Sequence, residues 1–128
     1  MQTYHGSCHC GAVTFEVDAD LSRLGDCNCS ICTKKGSVHH RVPENRFRLL
    51  SGAEALKAYQ FNKKIASHFF CQNCGIHTYS HPRTAPEMFN VNVRCLDNFD
   101  LRGAEFRMGT FDGQNWEAAF EAMQQNKR

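Results

Sequence analysis

Cys8-His9-Cys10-Gly11 near the start and Cys71-Gln72-Asn73-Cys74-Gly75 in the middle are the stretches that decide how this chain folds. Thiols one or two residues apart converge readily on one tetrahedral ion but are too close to pair easily with each other. The glycine after the second thiol of each pair, Gly11 and Gly75, permits the backbone conformation that closes such a turn. Two pairs far apart in sequence make a closed four-thiolate site, here Cys8, Cys10, Cys71 and Cys74. Zinc there would clip the N-terminal strand to the middle of the sheet, so metal binding and folding should be coupled. Between the pairs lies a triplet, Cys27-Asn28-Cys29-Ser30-Ile31-Cys32. Three thiolates leave one zinc position open, and an open position can do chemistry. The grouping implies one zinc for structure and one for function.

Composition bounds the rest. A chain of 128 residues with 41% hydrophobic content and ten phenylalanines is expected to form a single domain, 1–128, with a real core. The first residues carry no basic stretch followed by an apolar run, and no window is long and apolar enough to span a bilayer. The expectation is a soluble cytoplasmic protein with no membrane partner. In a reducing compartment, closely spaced thiols are read as metal ligands or catalytic groups in preference to a disulfide framework. The net charge of +2 counts every thiol as neutral. Seven thiolates on two zinc ions would erase it, so composition makes no case for a nucleic-acid partner. The basic clusters at Lys34-Lys35, Arg46 with Arg48, and Lys63-Lys64 read as solvated faces, with anion recruitment as the alternative.

Strand signals dominate the chain. Residues 12–17 alternate, with Val13, Phe15 and Val17 on one face. Further strands are expected at Phe47–Leu50, Leu56–Phe61, Ile65–Cys71 and Ile76–Ser80. The run Met88–Leu96 alternates most cleanly, placing Phe89, Val91, Val93 and Cys95 opposite Asn90, Asn92 and Arg94. Only Trp116–Met123 has helical spacing, and the tail 124–128 is expected to fray. The class is therefore mainly β with short helical pieces. Cys95, on the apolar face of its strand, is either a small buried hydrophobe or a fourth ligand to the triplet.

Taken in order, Gly6-Ser7-Cys8-His9-Cys10-Gly11, the Cys27/Cys29/Cys32 triplet with Ser30, Cys71-x-x-Cys74-Gly75 and Asn92-Val93-Arg94-Cys95-Leu96-Asp97 resemble the glutathione-dependent formaldehyde-activating family. That family also contains centromere protein V. The resemblance runs from about Gly6 to Asp97, while residues 98–128 carry no diagnostic motif. It implies a β-tent fold, shared with small zinc-containing Rab-binding proteins. It also implies a structural zinc on Cys8, Cys10, Cys71 and Cys74 and a catalytic zinc on Cys27, Cys29 and Cys32. The implied activity is S-(hydroxymethyl)glutathione synthesis, formally a carbon–sulfur lyase reaction on a small thiol partner. The alternative is a non-catalytic zinc-scaffolded binding module, which a closed triplet would favour.

Three thiolates make a zinc unit formally anionic, a poor carbonyl activator but a good host for a fourth sulfur, whose thiol then loses its proton. The matching reaction is addition of a thiol to an aldehyde, which also needs a proton donor for the adduct oxygen. His39, His40 and His77 are the candidates. Neighbouring side chains on a strand face opposite ways, so one of His39 and His40 at most should point inward. His9 lies between two ligands and is expected to orient its turn, whereas His5, His68 and His81 have no special claim. Lys34, Lys35 and Arg94 are candidate binders of substrate carboxylates.

Overall fold

The computed structural model describes residues 1–125. In chain order its strands are β1 (Gln2–Ser7), β2 (Thr14–Ala19), β3 (Arg23–Cys27), β4 (His39–Val42), β5 (Phe47–Ser51), β6 (Leu56–Tyr59), β7 (Ser67–Cys71), β8 (His77–His81), β9 (Phe89–Asn92) and β10 (Arg107–Phe111). The helices are α1 (Ser30–Lys35) and α2 (Trp116–Gln125). A three-stranded antiparallel sheet has the order β1-β2-β5. A seven-stranded sheet has the order β10-β3-β4-β9-β8-β7-β6, antiparallel except where β10 lies parallel to β3. The mainly β architecture with a short C-terminal helix is the one expected. Among the described residues no helix is long and apolar enough to cross a membrane.

The alternation in β2 sets the join between the sheets. Val13, Phe15 and Val17 are all buried, as their shared face requires. The ring of Phe47, from β5, stacks on Phe15 at 5.4 Å and on Phe89 of the larger sheet at 4.6 Å. Tyr79 of β8 packs on Phe47 from 4.7 Å and carries the stack on to Phe69 at 4.8 Å. Offset aromatic pairs of this kind add to the burial of the rings themselves. The join is also made in backbone: Gly6 of β1 bridges Leu96, and the Asp97 amide donates to the His5 carbonyl at 2.7 Å.

Two expectations are corrected. The run Met88–Leu96 is not one strand: β9 stops at Asn92, and Val93–Cys95 forms a 3-10 turn. The cause is local, since the Asn92 side chain accepts from the Arg94 amide and so caps the turn. Asn90 and Asn92, assigned to the polar face, are both buried and hydrogen-bonded. The second correction concerns helices, because α1 forms in addition to α2. Of the tail expected to fray, Gln124 and Gln125 complete α2, and 126–128 lie outside the described residues.

Candidate metal centres and the cleft

Cys8 and Cys10 sit in the turn between β1 and β2, and Cys71 and Cys74 in the turn between β7 and β8. Each turn is closed by its glycine, Gly11 at φ 81° and Gly75 at φ 77°, a left-handed backbone that other residues adopt only with strain. The Gly11 amide returns to the Cys8 carbonyl at 3.3 Å and the Gly75 amide to the Cys71 carbonyl at 2.7 Å. All four sulfurs lie within 4.8 Å of one another. Cys8 and Cys10 are 3.6 Å apart, and Cys10 and Cys71 are 3.7 Å apart. Tetrahedral zinc with bonds of about 2.3 Å sets sulfur–sulfur edges of roughly 3.8 Å, so the donor set fits that ion. Backbone amides favour thiolate here: those of Cys10 and Ile76 bring the Cys74 thiol down to about 6. Buried Val13 and Ala55 pack on one side of the cluster, and the cluster spans the two sheets.

The second group is built differently. Cys27 ends β3, Cys29 is the extended N-cap residue of α1, and Cys32 lies within that helix. The three sulfurs are within 4.8 Å of one another, and each residue is half-buried. The neighbouring Cys27 and Cys32 thiols push the Cys29 thiol well below its ordinary range, so a thiolate is favoured within the group. This donor set also suits a soft divalent ion. Among the described residues no fourth Cys, His, Asp or Glu atom joins the three. Cys95 is elsewhere: its thiol is buried, donates to the His77 carbonyl at 3.3 Å, and is pushed up to about 12 by burial.

The triplet borders a cleft of about 700 Å³. Lys35, from the last turn of α1, reaches into its wall, where Nζ lies 2.9 Å from His68 Nδ1 and 3.2 Å from His77 Nε2. Burial lowers both rings, His68 to about 4 and His77 to about 3, so each is neutral near pH 7 and accepts from the lysine. His39 is likewise lowered to about 4 by burial. Both His39 and His40 border the cleft, and the His40 ring is tied to the Arg23 carbonyl at 2.9 Å. Of the proposed carboxylate binders only Lys35 lines the cleft, and both Lys34 and Arg94 are exposed outside it. His68 had no claim from sequence, because nothing local marks a histidine that meets a lysine from a distant helix.

A further contributor comes from the segment without motifs. The Asn28 amide donates to the Phe111 carbonyl, and Asn28 Oδ1 accepts from the Gln114 amide at 3.1 Å, which latches the β10–α2 turn over the triplet. Gly113 fills the space behind the sulfurs: a Cβ there would lie 2.6 Å from Cys27 Sγ and 2.6 Å from Cys29 Cβ. Gly113→Ala is therefore expected to displace the triplet at a cost of about 1–3 kcal/mol, typical of overpacking. Metal analysis should show loss of the triplet's ion with the four-cysteine ion retained. Full retention of both ions would contradict the packing argument.

The comparisons with known proteins agree with this layout. A crystal structure of a Rhodobacter sphaeroides protein is 36% identical, with a TM-score of 0.75, covering 82% of this chain and 99% of that one. The family model described as glutathione-dependent formaldehyde-activating enzyme matches residues 3–115, a span that includes both cysteine groups and the turn at Gly113. The chain belongs to the glutathione-dependent formaldehyde-activating enzyme family.

Proposed function

We propose that this chain is a carbon–sulfur lyase-type enzyme that adds glutathione, or another small thiol, to formaldehyde and runs the reverse cleavage. The carrying observation is a three-sulfur cluster facing a cleft, with Cys95 directed to a backbone carbonyl instead of the triplet. Cys27, Cys29 and Cys32 would hold a zinc ion, which would supply a soft Lewis acid able to lower the pKa of a thiol. The four-cysteine cluster takes the structural role. A closed triplet would favour the non-catalytic binding-module alternative, and Cys95, bonded to the His77 carbonyl, does not close it.

The new bond joins sulfur to the carbonyl carbon, the carbon–oxygen π bond breaks, and the oxygen takes a proton to give a hemithioacetal. Lys35 is the group equipped to give that proton. The cleft histidines His39, His68 and His77 are held neutral by burial. An ammonium has three N–H donors, and His68 and His77 occupy two, leaving one for the substrate. The proton released by the incoming thiol restores the ammonium, so the cycle closes without a net change. The two histidines hold Nζ in place, and its charge offsets that of the thiolates.

Lys35→Met is expected to lower turnover about 10²- to 10⁴-fold, the usual range for a lost general acid. Half-saturation by thiol should change little. The measurement is hemithioacetal formation and decay above the spontaneous rate. Wild-type turnover in Lys35→Met would remove the lysine from the mechanism.

A further inference from the structure

Six cationic side chains border the cleft: Arg23, Lys35, Arg41, Lys63, Lys64 and Arg83. Among the described residues no Asp or Glu shares its lining. A cleft lined by one sign of charge focuses its field on ligands of the other sign. The proposed thiol chemistry accounts for Lys35 alone, so the remaining cations need another reason.

Arg41 and Arg83 are the most informative pair. Arg41 is half-buried; its Nε donates to Asn90 Oδ1 at 3.1 Å and its Nη2 to Thr84 Oγ1 at 2.7 Å. Both acceptors are neutral, and among the described residues Arg41 makes no ion pair. Two of its five N–H donors are thus used, and Glu87 acts on its charge only from beyond ion-pair distance. Arg83 lies flat on Trp116, its Cζ 3.6 Å from the ring centroid. Among the described residues its only carboxylate contact is the exposed Glu117 at 3.6 Å, and its buried Nε has no acceptor. Two immobilised guanidiniums beside one cleft match the fork geometry of a carboxylate.

The strand register gives the span. Gly25 of β3 pairs with His39 of β4, antiparallel. Cys27 lies two residues along β3 in one direction and Arg41 two residues along β4 in the other. That is about 13 Å between backbone levels at about 3.3 Å per residue. Side chains reaching in from both ends shorten this to roughly 7–11 Å, the length of two or three peptide units.

We infer that Arg41 and Arg83 form a carboxylate subsite, which selects peptide-sized thiols bearing an acidic group over small neutral thiols. This rests on the reading of the triplet as the sulfur site. The test uses the full chain loaded with cobalt(II) and follows the cobalt–thiolate absorption during titration with glutathione, its dicarboxylate diester and 2-mercaptoethanol. In the wild type, the diester should need at least about tenfold more thiol than glutathione for half-saturation. Arg41→Met and Arg83→Met should weaken glutathione by a similar factor and leave 2-mercaptoethanol unchanged. Equal affinity for glutathione and its diester would overturn the subsite while leaving the sulfur site standing. Equal weakening of every thiol in both variants would also overturn it, since that marks a structural role. If no thiol alters the spectrum, the sulfur site fails and the subsite fails with it.

Discussion

A Cys29→Ser protein is expected to keep its fold and one zinc ion while losing at least about a thousandfold in turnover. Cys29 stands between Cys27 and Cys32 in the chain, and its sulfur lies within 4.8 Å of both of theirs. A serine hydroxyl is a poor ligand for a soft ion, so the second metal should leave. The fold should not follow it. Cys29 is the N-cap of α1 and makes no side-chain capping bond, whereas serine is among the best capping residues. Helix formation is therefore separated from metal chemistry at this position. Metal analysis with a thermal melt reads the result, and loss of both ions with unfolding would contradict the division of roles.

Cys71→Ser is expected to do the opposite and abolish the cooperative fold. Cys71 is fully buried, ends β7, and stands 3.7 Å from Cys10 across the join between the sheets. Structural zinc sites contribute about 10–16 kcal/mol to folding at neutral pH. Whole domains are stable by only about 5–15 kcal/mol, so loss of this site removes most or all of the margin. The aromatic stack around Phe47 cannot replace it, because that stack belongs to a separate buried cluster and does not include the turns that the cysteines join. The expected result is no sigmoidal thermal transition and little zinc. A melting temperature within a few degrees of wild type would show that the sheets hold together without the clip.

The cysteine groups were legible because thiols one or two residues apart, two of the groups closed by a glycine, form a pattern that is complete within a few residues of chain. The strands β2, β5, β6, β7 and β8 were legible because their alternation or flanking turns are local. β1 was not: Gly6 lies against the Phe15 ring, so the strand lacks a side chain where its pattern would show. β3, β4 and β10 carry little alternation. β10 is largely exposed and is fixed by parallel pairing with a strand far away in sequence, such as Thr110 with Asp26. Such pairing leaves no periodic trace. For the same reason the meeting of Lys35 with His68 and His77 was not legible, although Lys35 and His77 were separately candidates: the three come from three elements, and Gly113 matters only through what lies behind Cys27. Asn92 shows the converse failure, where a local side-chain bond to the Arg94 amide ended a strand that alternation had extended.

The decisive quantity is whether the triplet's metal can take a sulfur from outside. Cobalt(II) in both sites gives a thiolate absorption spectrum that reports coordination directly. Added glutathione is expected to change the spectrum of one site saturably, with Cys29→Ser losing that response and the four-cysteine site unaffected. Two sites whose spectra ignore every added thiol would mean that the triplet is closed, and the thiol-activation account would not survive.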